Sequence, residues 1–186
     1  MLLQKPRIHP LPESEWTPEI RDLLPKTSGV SGRGPLNIFT TLARHPGLFK
    51  RWTVFGTHVL FKSTLPPRER ELVILRTGWL CKSEYEFGQH TRIGRDCGLT
   101  DEEIRRITLG PDAPGWSDAD RVLLKATDEL HDDQIISDAT WGALATTWNE
   151  RQLFDLLFAI GQYTLVSMFL NTVGVQLEDG AEGFPQ

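Results

Sequence analysis

From Leu36 onward the chain never alternates apolar and polar residues cleanly enough to build a sheet. Its apolar residues instead recur at helical spacing, interrupted by short proline or glycine breaks. Helix-start signals punctuate that pattern. Pro46 opens a helix running to about residue 61, and Pro66 and Pro67 open another to about residue 80, since proline is tolerated in the first helical turn. Four places read as capping boxes, a short polar residue followed three positions later by an acid or amide: Ser83 with Glu86, Thr100 with Glu103, Ser117 with Asp120, and Asn149 with Gln152. Ser137 is a simpler N-cap before a helix over 138–148. The expectation is an all-α bundle of seven to eight helices with short connections.

Residues 1–34 read differently. Six prolines between Pro6 and Pro35 and the Ser-Gly-Val-Ser-Gly-Arg-Gly run at 28–34 leave little room for long regular elements, so an extended arm with one short helix near residues 18–24 is expected there. A single helical domain then spans 35–178, and residues 179–186 form a flexible tail. A chain of 186 residues can enclose one core of its own.

Composition removes several function classes. With a net charge of −5 and no basic run, the chain offers no electrostatic footprint for a phosphate backbone, so a nucleic-acid partner is not expected. Two cysteines, Cys81 and Cys97, make no disulfide framework, and no leader-like segment opens the sequence; a cytoplasmic location is the expectation. Residues 156–177 carry no charge and are long enough to span a bilayer, yet they hold Gln162, Thr164, Ser167, Asn171, Thr172 and Gln176 and are flanked by acids. A buried helix or a subunit interface is expected in place of a membrane span. Because 153–173 is apolar around most of its circumference, it must be enclosed on several sides, which calls for self-association.

Chemistry concentrates in Glu71-Leu-Val-Ile-Leu-Arg-Thr-Gly-Trp-Leu-Cys-Lys-Ser-Glu-Tyr-Glu-Phe-Gly-Gln-His90. On a helix starting at Ser83, the side chains of Ser83, Glu86 and His90 share one face. A carboxylate one turn from an imidazole can orient the ring and raise its pKa, which suits proton transfer. Glu71, beside an apolar run, must find a partner or be neutralised. The plain alternative is that Ser83 and Glu86 only cap the helix and that His90 is structural. Elsewhere, His58 is a candidate for the same pocket and Arg76 a candidate anchor for a substrate carboxylate, with Gln162 and Tyr163 as further polar groups. His131, among acids, reads as a helix C-terminal charge in preference to a metal ligand. His9 and His45 precede prolines and look structural or exposed, and Trp79, Trp141 and Trp148 read as core. Gly32-Arg-Gly34 lacks the length and the following Lys-Ser/Thr of a phosphate loop.

The order Glu71, then Ser83-Glu-Tyr-Glu86-Phe-Gly-Gln-His90, resembles the core signature of the alkylhydroperoxidase D-like superfamily, a Glu ahead of Cys-x-x-Cys-x-x-x-His on a helix. Tyr85-Glu-Phe with the later His is similar to the Tyr-Glu-Trp-x-x-His string of carboxymuconolactone decarboxylase-like proteins, and the resemblance extends over about residues 36–176. Glu71 and His90 match, whereas Ser83 and Glu86 stand where the two cysteines would be. Thiol-dependent peroxide reduction needs an attacking thiolate and a resolving thiol, and neither position has sulfur. The resemblance implies a helical bundle and a cofactor-free lyase or isomerase, with no metal, acting on a small carboxylated or carbonyl-bearing compound. Glu86, His90 and Glu71 are its catalytic candidates, and Ser83, Tyr85, His58 and Arg76 its substrate contacts. It also implies a trimer or a multiple of it, with a dimer as the alternative. Two other readings stay open: a non-catalytic small-molecule binding protein on the same scaffold, and a peroxidase acting through Cys81.

Overall fold

Every residue of the stretch 70–78 is buried, the mark of a helix enclosed on all sides, and the rest of the molecule is arranged around it. The computed structural model describes residues 3–27 and 34–185. Among them are nine α-helices and no strand: α1 Pro18–Thr27, α2 Asn37–Leu42, α3 Pro46–Thr57, α4 Pro67–Leu80, α5 Glu84–Asp96, α6 Asp101–Leu109, α7 Asp118–Asp132, α8 Asp138–Ala145 and α9 Glu150–Val173. A 3₁₀ turn, Glu13–Glu15, precedes α1, and a π-helical turn, His58–Lys62, continues α3. The all-α expectation holds. The helix that sequence reading missed is α2, whose N-cap position is Leu36 and carries no capping side chain. The glycine-rich run at 28–33 lies outside the described residues.

Local chemistry explains most boundaries. Pro46 and Pro67 sit in the first turns of α3 and α4, and full capping boxes close the starts of α6 (Thr100 with Glu103) and α9 (Asn149 with Gln152). Ser117 and Ser137 cap through their hydroxyls, accepting from the amides of Asp120 and Thr140. The expected box at Ser83 is absent: no side-chain cap bond forms, and Ser83 Oγ is buried with no hydrogen-bond partner. Gly174, in the left-handed region at φ 78°, ends α9.

α4 packs against α5, α6, α7 and α9. One core cluster, with Leu72, Leu75, Ile107, Leu123, Leu124 and Leu156, lies between α4 and the helices α6, α7 and α9. A second joins the N-terminal arm to the far end of α9: Leu11, Ile20 and Leu24 pack with Phe49, Val166 and Leu170. Residues 179–185, expected as a tail, lie along α5. Phe184 sets its ring edge-on to Trp79 (centroids 5.1 Å) and Phe87 (5.4 Å), Glu182 pairs with Arg95 at 2.9 Å, and a Cβ at Gly88 would overlap the Glu182 carbonyl. Trp148 is core and Trp79 packs at the core's edge, but Trp141 is 40% exposed, α8 burying Thr140 and Leu144 instead.

Candidate active site

The turn between α4 and α5 creates the site. Lys82 takes a left-handed conformation (φ 54°) and Ser83 N donates to Gly78 O at 2.8 Å, so α5 folds straight back onto α4. That reversal brings Glu71, near the start of α4, against His90 in the middle of α5. His90 Nδ1 lies 2.6 Å from Glu71 Oε2, and His90 Nε2 lies 3.0 Å from Glu86 Oε1 one turn earlier on its own helix. Glu71 Oε1 in turn accepts from Arg70 Nε at 2.9 Å. All four side chains are at least nine-tenths buried.

Both ring nitrogens of His90 face carboxylates, so both must donate, and the ring is an imidazolium. Burial alone would push its pKa down. The negative charge and hydrogen bond of Glu71, joined by those of Glu86, overcome that and hold it at about 10. With Arg70 and His90 positive and Glu71 and Glu86 negative, the buried cluster is neutral overall, which is how four charges are kept out of water. The ring of Tyr163 meets His90 edge-on, with centroids 4.8 Å apart.

Glu86 and His90 open onto a cavity of about 200 Å³ between α2, α3, α5 and α9. Its walls are mainly apolar, with Phe39, Trp52, Leu60, Ile93 and Val166 among them. Glu71 is fully buried and lies behind His90, not in the wall. Tyr85 does line the cavity, with its hydroxyl fixed: it donates to Glu178 Oε1 at 2.7 Å and accepts from Ile38 N at 3.3 Å. Burial, and then the charge of Glu178, raise its pKa well above the usual phenol value, so it remains a phenol.

Three expected substrate contacts are elsewhere. Ser83 is fully buried at the α4–α5 turn and does not reach the cavity. Arg76 points the other way, giving Nε and Nη2 to Asp128 at 2.6 and 2.8 Å and Nη1 to the Ile107 carbonyl at 2.8 Å, so it ties α4 to α6 and α7. His58 starts the π-helical turn and faces Asp155 at 3.3 Å on the outer surface. Gln162 and Tyr163 do line the cavity, as do Gln89 and Arg92, which sequence reading passed over. Gln89 and Ile93 were findable, because with Glu86 and His90 they fall at i, i+3, i+4 and i+7.

Neither cysteine reaches the cavity. Burial raises the pKa of the Cys81 thiol, the nearby hydroxyls of Thr164 and Ser167 opposing it in part, and Sγ lies 3.8 Å from His131 Nδ1. Both cysteines are free. No group of three or more His, Cys, Asp or Glu among the described residues is placed to hold a metal ion.

Residues 46–129 match the model of the carboxymuconolactone decarboxylase family. Solved structures share the fold. The chain is similar to an uncharacterized peroxidase-related protein from Ralstonia eutropha JMP134, with an alkylhydroperoxidase AhpD core, at a TM-score of 0.82 and 19% identity over 95% of each chain. It is also similar to an uncharacterized peroxidase-related protein from Silicibacter sp. TM1040, at 0.80 and 14% over 96% of each. The debrominase Bmp8, in complex with 2,3,4-tribromopyrrole, superposes at 0.78 with 12% identity over 95% of this chain and 94% of that one. No curated protein sequence matches.

Proposed function

We propose, for a chain whose segment 46–129 is of the carboxymuconolactone decarboxylase family and whose helices take the AhpD-like fold, that it is a cofactor-independent lyase or isomerase moving protons at carbon. Its substrate is a small carboxylated or carbonyl-bearing compound. The observation that carries this reading is that Glu86 and His90, hydrogen-bonded to each other at 3.0 Å, open together onto one mainly apolar cavity.

The roles follow from position. Glu86 commits Oε1 to His90, and its other oxygen has no hydrogen-bond partner among the described residues, so it is the group that can meet a substrate C–H. In the isomerisation of a β,γ-unsaturated carbonyl compound, Glu86 takes the proton between the carbonyl and the double bond, the electron pair moves onto the carbonyl oxygen to give a dienolate, and the same carboxyl returns the proton to the γ-carbon as the double bond shifts into conjugation. In a decarboxylation, the bond to the leaving carbon dioxide breaks and its electron pair becomes the enolate. Glu86, protonated by His90 Nε2, then delivers the proton to carbon, and solvent restores His90. Glu71 touches no substrate and is a positioning residue: its bond to Nδ1 fixes the ring and keeps it charged. The apolar walls keep water from competing for the proton.

Incubation in D₂O with a panel of small keto acids and unsaturated lactones, followed by proton NMR, tests the reading. Deuterium entering a carbon next to a carbonyl, or carbon dioxide release, is expected from at least one class. Saturable binding without any exchange would instead favour a non-catalytic binding protein. A peroxidase acting through Cys81 fits poorly with a thiol whose pKa is raised and which lies off the cavity. Hydroperoxide turnover with a dithiol donor is expected to be negligible and unchanged in Cys81→Ser; activity that disappears in that variant would reverse this conclusion.

A further inference from the structure

The cavity has a polar side that the proton-transfer pair does not use. Gln162 is 5% exposed, faces the cavity, and makes no hydrogen bond to any described residue. The Tyr163 hydroxyl likewise makes no hydrogen bond to any described residue. A nearly buried amide with no protein partner, set in a cavity wall, is placed to meet a polar ligand atom.

Arg92 is the second observation. Among the described residues lining the cavity it is the only Lys or Arg, and it also borders the neighbouring depression beside Gly180. Five other arginines of the helical body are spent on carboxylates: Arg68 on Glu103 and Asp120, Arg70 on Glu71, Arg76 on Asp128, Arg95 on Asp101 and Glu182, and Arg106 on Glu102. Arg92, three residues before Arg95 on the same helix, makes no ion pair or hydrogen bond to a described residue. Three acids border the same depression, and none pairs with Arg92: Glu178 is occupied, accepting from Asn37 N, the Tyr85 hydroxyl and Gln89 Nε2, Glu182 pairs with Arg95, and Asp179 makes no ion pair with a described residue. A guanidinium left open at the mouth of an apolar cavity is built to meet a carboxylate, which it can hold through two parallel bonds.

We infer that Arg92 is the substrate's carboxylate anchor and that the ligand is a small ring or short apolar chain bearing one carboxylate. Its carboxylate sits at the Arg92 mouth, its apolar body lies against Trp52 and Phe39, and a second polar atom reaches Gln162. This assigns to Arg92 the role that sequence reading gave to Arg76, and it rests on the cavity being the substrate site.

Benzoate and its neutral isostere benzamide separate the two claims when each is titrated by calorimetry into the wild-type protein and into Arg92→Gln. Benzoate is expected to bind wild type more tightly than benzamide does, and Arg92→Gln is expected to weaken benzoate by about tenfold or more while leaving benzamide unchanged, the fold-change that accompanies loss of a charged hydrogen bond. Equal binding of the two compounds to wild type, or a benzoate preference that survives in Arg92→Gln, would overturn the assignment of Arg92 and leave the cavity as the site. If neither compound binds wild type, the cavity is not a site for small ring compounds, and the proposal falls with it. 4-Hydroxybenzoate, which adds a second polar atom, is expected to lose affinity in Gln162→Leu where benzoate does not; equal binding of 4-hydroxybenzoate to the two proteins would remove Gln162 from the assignment.

Discussion

His90 holds two carboxylates, Glu71 through Nδ1 and Glu86 through Nε2, and its charge follows from that placement. Glu71, Glu86 and His90 stood out because acids beside an apolar run and an imidazole one turn from a carboxylate must be accommodated somehow. Spacing left Glu86 with two roles, cap or partner of His90. The structure gives it the second, since Ser83 forms no cap bond and Glu86 reaches Nε2. Arg76 and Arg92 show the limit of spacing: both are arginines on buried helices near the motif, and only the tertiary arrangement sends one to Asp128 and the other to the cavity. The charge on His90 has a consequence for stability. Its folded pKa, about 10, lies above the ordinary 6.5, so its contribution is fully present below about pH 6.5 and is lost as pH rises through 10. Thermal melts of wild type and His90→Gln across that window should show a wild-type advantage that shrinks with rising pH. An advantage that grows with pH would mean the ring is held neutral.

At the scale of elements, helix starts were readable wherever a side chain supplied the cap. Thr100 and Asn149 behave as their sequences suggest, whereas α2, with Leu36 at its N-cap, gave no signal. The end of α3 was hidden too, because nothing in the sequence at His58 announces a π-helical turn. The fastening between elements is ionic as well as apolar. Arg76 on α4 holds Asp128 on α7 and carbonyls at the end of α6 from a buried position, so Arg76→Met leaves Asp128 without its partner. A loss of roughly 3 kcal/mol in denaturant unfolding is expected. Turnover per folded molecule should stay near wild type, because Arg76 does not line the cavity. A stable but inactive Arg76→Met protein would return Arg76 to the list of substrate contacts.

The whole molecule leaves one apolar surface uncovered. α9 is long and apolar enough to cross a membrane by length and composition, yet half of that apolar stretch is buried in the bundle. Its other side exposes Phe154, Phe158, Leu165 and Met168, with Gly161 completing a stripe of alternating fours and threes. Phe55 on α3 meets Phe158 edge-on at 5.9 Å and is itself 37% exposed, which carries the apolar surface onto α3. So many large exposed apolar side chains on one side are unfavourable in an isolated subunit. We propose that copies of the chain associate through this stripe, as a trimer or a multiple of it or as a dimer. Light scattering at micromolar concentration should give a multiple of 21.1 kDa, and Phe158→Glu with Leu165→Glu should reduce it to one subunit. A wild-type mass near 21.1 kDa would contradict self-association.

Glu86→Gln bears most directly on whether Glu86 and His90 carry the chemistry, because it removes the base while preserving size and hydrogen-bonding capacity. Measured by proton NMR as the rate of deuterium exchange or product formation on a substrate turned over by wild type, the variant should be slower by roughly 10²- to 10⁴-fold, with its helical circular dichroism unchanged. A Glu86→Gln protein that works at the wild-type rate would show that this carboxylate is structural and that the proton moves through another group.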